Sequence, residues 1–254
     1  MGVGCTILVG VSAFTYSYII RHQNLDSPEG KSPLLSSQNN CNVKRRINVQ
    51  GYKFVKPVLM IETDCEASTL FPLKNELEGI ITNFKQQNVI TNASVFVFDM
   101  NRSDWTGVND DMQFQPGSLI KVPLAISVMK KLEEKKIKLT EKIVASNTLN
   151  VHQTFGSKSI QSGQTYSIED LLKYSLAYSD NSATQLLNAY VDINQFKKVF
   201  TDLSIAEPNV ADLNYTISAK DYSKFIKVLY NGGYIIASKV SSIIIVLGLH
   251  RLLF

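Results

Sequence analysis

The sequence predicts an α+β protein that follows an N-terminal membrane helix. Residues 2–20 carry no charged side chain, and their number suits one bilayer-spanning helix. Residues 93–100 are rich in β-prone side chains, and residues 104–107 follow them after a short turn, which predicts a hairpin. Helical spacing of apolar residues dominates residues 167–230. Residues 93–230 are thus predicted to combine strands with helices.

The composition is that of a globular protein. The chain has 254 residues, of which 44% are hydrophobic and 19% charged, and its formal net charge is +4. The basic run at 44–46 is short, and no basic stripe alternates with aromatic residues, so we expect no nucleic-acid partner. Cys5, Cys41 and Cys65 lack metal-ligand spacing, and Cys41 and Cys65 are either paired outside the cytoplasm or free thiols. We expect no metal, no organic cofactor and a monomer.

Residues 1–21 have the pattern of an uncleaved signal-anchor. They lack a basic start and a small-residue cleavage site, which disfavours a removable signal peptide. Basic residues follow the segment from Arg21 onward. The positive-inside rule would keep the side that carries them in the cytoplasm, unless further basic residues lie upstream of the segment. We expect a membrane anchor with the domain on the extracytoplasmic face; the alternative is a buried helix of a soluble domain. Residues 22–69, rich in Ser, Asn, Gln and Pro, are predicted as a linker.

A folded domain is predicted over residues 70–231. One helix face is formed by four apolar residues, Leu77, Ile80, Ile81 and Phe84. After the hairpin, an apolar helix is predicted from the turn at 116–118 to about residue 134. Further helices are predicted over 167–178, 182–190, 193–203 and 218–230. Residues 167–170 have the form of a capping sequence.

Ser118 and Lys121 follow the Pro-Gly turn at 116–117. A spacing of three on a helix brings both side chains to one face, and a serine becomes a useful nucleophile when a base lies beside it. The same spacing occurs at Ser127 and Lys130, but Ser127 falls mid-helix, where a serine is usually a surface residue. Ser118 opens its helix, where backbone N–H groups can stabilise an oxyanion. The alternative is a serine that only caps the helix.

A second polar group, Ser179-Asp180-Asn181, falls between two predicted helices. All three residue types are common in caps and turns, so the group has a structural interpretation. It also has a chemical one, because a serine can relay a proton, an amide can hold a substrate carbonyl, and an aspartate can brace the loop.

Together the two motifs resemble the signature of the class A β-lactamases and related penicillin-recognising serine hydrolases. The motifs occur in the family's order, and their separation, from 118 to 179, is similar to the family's. The flanking sequences are also similar, and the resemblance covers about residues 70–231. It implies a β-lactamase/transpeptidase-like fold with an α/β-sandwich lobe and an all-α lobe. It also implies a small-molecule β-lactam or a cell-wall peptide as substrate.

The resemblance assigns a role to each residue of the two motifs. Ser118 would be the acylated nucleophile, its backbone N–H would form half of the oxyanion hole, and Lys121 would be its base or electrostatic partner. Ser179 would pass a proton to the departing ring nitrogen. Asn181 would bind the side-chain amide of the substrate, and Asp180 would be structural.

Two parts of the family's pattern are altered. The glutamate that activates the deacylating water has one candidate, Glu207, but Ala211 stands where the family has asparagine, so a surface acid is the alternative. The carboxylate-binding triplet Lys-Thr-Gly occurs nowhere. Residues 232–254 are predicted as an aberrant apolar tail in place of the C-terminal strands, produced by truncation or a frameshift; the alternative is an apolar strand of the sheet.

These observations predict a membrane-anchored serine hydrolase that opens β-lactam rings through an acyl-enzyme on Ser118. The loss of the Lys-Thr-Gly region predicts that its activity is impaired. Two alternatives remain open: a DD-peptidase or penicillin-binding-like protein that holds its acyl adduct, and a non-catalytic truncated relic.

Overall fold

The computed structural model describes residues 65–99, 102–145, 158–209, 215–231 and 234. These residues fall into two compact units, of which the first ends at Asp110 and the second begins at Asp111. No helix within the described ranges is long and apolar enough to cross a membrane. The membrane helix predicted over 1–21 lies outside these ranges, and so do most of the predicted linker, 22–69, and of the predicted tail, 232–254.

The first unit contains a helix and a β-hairpin. Helix α1 (Phe71–Gln86) is followed by strands β1 (Val95–Phe98) and β2 (Trp105–Val108). The strands pair antiparallel, with Val95 opposite Val108 and Phe98 opposite Trp105. The hairpin predicted from the β-prone run is therefore confirmed.

The face of α1 that packs differs from the predicted one. Ile80 and Phe84 are 45% and 42% exposed, whereas Ile81 is buried and Leu73 and Leu77 are half-buried. Leu73, Leu77 and Ile81 follow one another at intervals of four, which keeps them on one side of the helix, and α1 packs on β2. The prediction was wrong at Ile80 and Phe84 because adjacent apolar residues made two helix faces look equally suitable.

The second unit contains five helices and two short pairs of strands within the described ranges. Its helices are α2 (Lys121–Glu134), α3 (Ile168–Ala177), α4 (Asn181–Tyr190), α5 (Ile193–Asp202) and α6 (Ala219–Asn231). Its antiparallel strand pairs are β3 (Gln113–Phe114) with β6 (Ile217–Ser218), and β4 (Lys142–Val144) with β5 (Thr165–Ser167). The helices predicted from residue 167 onward are confirmed, and each end lies within one residue of its predicted position.

Side-chain caps fix where three of these helices begin. Ser167 and Asp170 form a reciprocal capping box at the start of α3, which confirms the predicted capping sequence. Asp180 caps α4 through the N–H of Ser182, and Asp192 caps α5 in the same way. These caps satisfy backbone N–H groups that have no partner inside the helix.

Helix α2 lies at the centre of the hydrophobic core of the second unit. Ile126, Val128, Met129 and Leu132 are fully buried, so the helix is enclosed on all sides. Ser127 is also fully buried, and its hydroxyl has no hydrogen-bond partner in the described structure. The expectation that Ser127 is a surface residue was therefore wrong, because α2 has no exposed face at this point.

Candidate active site

Ser118 lies in a 3-10 turn that leads into α2. The turn comprises Gly117–Ile120, and its N-cap is Pro116 rather than Ser118. Gly117 has a φ of 51°, a left-handed conformation that glycine adopts without steric penalty. The Ser118 side chain is exposed and forms no capping hydrogen bond, so its hydroxyl is available to other partners.

Lys121 begins α2 and is only 5% exposed. Its Nζ atom donates to the backbone oxygen of Ser179 at 2.6 Å, to Ser179 Oγ at 2.9 Å and to Asn181 Oδ1 at 2.9 Å. Three acceptors match the three N–H donors of an ammonium group. Lys121 therefore joins the start of α2 to the turn that precedes α4.

Ser179 connects the lysine to Ser118. Its Oγ atom donates to Ser118 Oγ at 3.0 Å while it accepts from Lys121 Nζ. Among the hydrogen bonds of the described residues, none joins Lys121 directly to Ser118. The path from amine to nucleophile therefore runs through the second hydroxyl.

The environment of Lys121 moves the titration of its amine to lower pH. Burial lowers the pKa of Lys121, and the nearby negative charge of Asp180 offsets part of that effect. A neutral amine can accept a proton, whereas an ammonium cannot. The site thus makes a base available at a lower pH than an exposed lysine would.

Asp180 braces the turn that carries Ser179. Its carboxylate, 1% exposed, accepts from the Ser182 N–H at 2.9 Å, the Ile160 N–H at 2.8 Å and the Ser159 hydroxyl at 3.1 Å. Ser179 itself has a φ of 54°, which is unusual for a residue with a side chain and carries strain. The bonds to Asp180 hold the strained turn against the loop at 159–160.

Ser159 and Ile160 were missed by the sequence analysis. Their contact with Asp180 spans 21 and 20 residues along the chain. It involves a backbone N–H and a lone hydroxyl, and neither leaves a periodic or motif-like trace in the sequence.

Glu207 is not part of this hydrogen-bonded group. Its Oε2 atom lies 3.6 Å from Lys197 Nζ in an ion pair, and the Glu207 side chain is 45% exposed. The next residue, Pro208, lines a cavity of about 670 Å³ that Pro116 and Gly117 also line. Glu207 is not among the described residues that border this cavity.

The group brought together at the second unit is suited to acyl transfer. Hydrogen bonds join the exposed hydroxyl of Ser118, the bridging hydroxyl of Ser179 and the buried amine of Lys121, and the Asn181 amide lies beside them. Within the described ranges, no group of three or more His, Cys, Asp and Glu residues has the arrangement of a metal site.

A comparison with protein families gives a match over most of the chain. The family model described as the Beta-lactamase enzyme family matches residues 72–247. The chain belongs to this family. The fold expected from the two motifs, β-lactamase/transpeptidase-like and α+β, is therefore supported, and the protein is a β-lactamase-like serine hydrolase by family.

Individual relatives are distant. The β-lactamase VEB-1 of Pseudomonas aeruginosa is 26% identical over 119 residues, which are 44% of this chain and 40% of VEB-1. The chain thus matches less than half the length of this curated relative.

Solved structures share the fold. A β-lactamase from Sphaerobacter thermophilus superposes with a TM-score of 0.53 at 20% identity, over 60% of each chain. A mutant of PBP-A, solved as its acyl-enzyme complex with penicillin G, gives a TM-score of 0.56 at 16% identity and covers 70% of this chain and 68% of its own. The β-lactamase TLA-3 gives 0.53 at 14% identity, over 60% of this chain and 61% of its own.

Proposed function

We propose that this protein is a serine hydrolase that β-lactams acylate at Ser118. The observation that carries the proposal is the hydrogen-bonded path from Lys121 Nζ through Ser179 Oγ to Ser118 Oγ, with links of 2.9 and 3.0 Å. A serine hydroxyl needs such a base to react at neutral pH. Membership in the β-lactamase family and the penicillin acyl-enzyme of PBP-A support a β-lactam as the substrate.

The proposed reaction transfers one proton and exchanges one bond. For the attack, Lys121 is neutral and the hydroxyl hydrogens of Ser118 and Ser179 turn towards it, the reverse of the direction in the resting site. Ser118 Oγ then attacks the β-lactam carbonyl, and its proton moves through Ser179 Oγ to Lys121. The bond from the carbonyl carbon to the ring nitrogen then breaks. Ser179 delivers the proton to that nitrogen and is reprotonated from Lys121, which returns to its neutral form. The Ser118 N–H, at the start of the turn, stabilises the developing oxyanion.

Asn181 is proposed to hold the side-chain amide of the substrate. Its Oδ1 accepts from Lys121 at 2.9 Å, which fixes the orientation of the amide beside Ser179. The sequence contains no Lys-Thr-Gly triplet to pair with the substrate carboxylate. We therefore expect weak substrate binding and slow acylation.

A second candidate function is that of a DD-peptidase-like, penicillin-binding protein, which acts on cell-wall peptides and retains its acyl adduct. Glu207 supports it, because its carboxylate is 45% exposed and pairs with Lys197 rather than with a residue of the Ser118 group. We expect Glu207→Gln to leave the lifetime of the acyl adduct unchanged. A lifetime at least tenfold longer in Glu207→Gln would restore Glu207 as the deacylating base.

The proposed location is the extracytoplasmic side of a membrane, with the segment 1–21 as anchor and a monomeric domain. Cys65 is disulfide-bonded, and disulfides persist in oxidising compartments. This bond favours an extracytoplasmic domain.

Intact-protein mass spectrometry tests the proposal. After incubation with penicillin G, the protein should gain the mass of one opened penicillin, and Ser118→Ala should gain nothing. A protein that stays unmodified after prolonged exposure to several penicillins would instead be the non-catalytic relic.

A further inference from the structure

A tyrosine from α6 reaches the turn that carries Ser118. The Tyr222 hydroxyl donates to the carbonyl oxygen of Leu119 at 3.0 Å, and Leu119 lies directly after Ser118. Tyr222 is 6% exposed, and its ring meets that of Phe225 edge to face, with centroids 5.7 Å apart. Burial raises the pKa of the Tyr222 phenol, so the hydroxyl keeps its proton and remains a donor.

The reason for this contact is found at residue 123. Leu119 lies in the 3-10 turn; if the α-helical pattern of α2 extended back into this turn, the Leu119 carbonyl would accept from the N–H of the residue four positions on. That residue is Pro123, which has no N–H. The Lys121 N–H approaches the Leu119 carbonyl from two residues away, and a carbonyl oxygen has two lone pairs. The Tyr222 hydroxyl therefore supplies the donor that Pro123 lacks.

We propose that Tyr222 is a positioning residue for Ser118, whose turn it holds by replacing the missing Pro123 N–H. The role rests on the proposed acylation of Ser118. The Ser118–Ser179 link is a single hydrogen bond of 3.0 Å, so a small displacement of the turn separates the two hydroxyls. Misplacement of a reacting group by about 1 Å can slow a reaction by about 100-fold.

Tyr222→Phe removes the hydroxyl and keeps the ring. Tyr234→Phe is the matched control, because the Tyr234 hydroxyl donates at 2.8 Å to Asp202, at the end of α5. We expect Tyr222→Phe to slow acylation by penicillin G about tenfold. We also expect faster amide hydrogen exchange at residues 118–121. Tyr234→Phe should change neither quantity.

Pro123→Ala distinguishes the role of the Tyr222 hydrogen bond from that of the packing around it, because alanine at 123 provides a backbone N–H that proline lacks. The Tyr222→Phe/Pro123→Ala double variant should regain slow exchange at residues 118–121 and most of the acylation rate, which restored packing alone would not achieve. Equal exchange at these residues in Tyr222→Phe and Tyr234→Phe would overturn the proposal.

Two further outcomes are decisive. If Tyr222→Phe fails to fold, the double variant takes its place, and a double variant that also fails to fold contradicts the inference. If the unaltered protein is never acylated, the proposed function fails. The exchange rates at residues 118–121 still decide whether Tyr222 holds the turn.

Discussion

Lys121 Nζ lies 2.9 Å from Ser179 Oγ, and the lysine reaches Ser118 through this hydroxyl. The two residues are 58 positions apart, and their contact joins the first turn of α2 to the turn before α4. Since α2 is enclosed by the core and Asp180 braces the second turn, both ends of the contact are held by buried structure. The site is thus organised before a substrate arrives.

Ser179→Ala removes the hydroxyl that connects amine and nucleophile. We expect acylation by penicillin G to slow by about 100-fold or more, the usual effect of losing a proton-transfer group. Ser175→Ala is the control, because Ser175 Oγ shares a hydrogen bond of 2.8 Å with Thr184 Oγ1 in the same unit. Stopped-flow acylation rates measure the difference. An unchanged rate in Ser179→Ala would show that the proton takes another route.

The acylation rate should depend on pH through Lys121. Because burial lowers the pKa of Lys121, the rate should rise with pH and level off once the amine is neutral, at a lower pH than an exposed lysine would give. Lys121→Met should remove both the rate and its pH dependence. A rate that rises only at the pH where exposed lysines titrate would contradict the lowered pKa of Lys121.

The same shift makes stability depend on pH. The folded pKa of Lys121 lies below the unfolded one, so the unfolded chain binds more protons between the two values. The free energy of unfolding should therefore rise with pH across that window. Below the folded pKa of Lys121, the folded protein carries the full cost of burying the charged lysine. Urea unfolding at several pH values measures this slope, and Lys121→Met should remove its contribution.

Asp180→Ala should destabilise the protein by about 2–3 kcal/mol, because it removes a helix cap and leaves the buried Ile160 N–H without an acceptor. Asp192→Ala is the matched control. It removes one exposed cap bond, to the Asn194 N–H at 2.7 Å, and should reduce the free energy of unfolding by about 1 kcal/mol. Equal losses in the two variants would mean that Asp180 acts only as a cap.

Much of the helical structure could be predicted because its signals are local. Apolar spacing and the Ser167 capping box fixed the position of α3, and the β-prone run before Trp105 predicted the hairpin. The resemblance also placed Ser118 and Ser179 in one site, and the structure brings their hydroxyls within 3.0 Å. Each of these features depends on neighbouring residues or on a motif.

Other features depend on contacts that no local pattern encodes. The burial of Ser127 follows from the enclosure of α2 by other helices, and the Tyr222–Leu119 bond joins residues 103 positions apart. The ion pair that holds Glu207 depends on Lys197 in α5. Sequence spacing alone could not decide between a catalytic and a surface role for this glutamate.

Peptide mapping of the penicillin-treated protein tests the central claim most directly, because the chain contains two Ser-x-x-Lys pairs with the same spacing. Ser118 is exposed and connected to Lys121 through Ser179, whereas Ser127 is fully buried. The acyl group should appear on Ser118, remain there in Ser127→Ala and vanish in Ser118→Ala. An adduct on any other residue, or one that persists in Ser118→Ala, would contradict the assignment of Ser118 as the nucleophile.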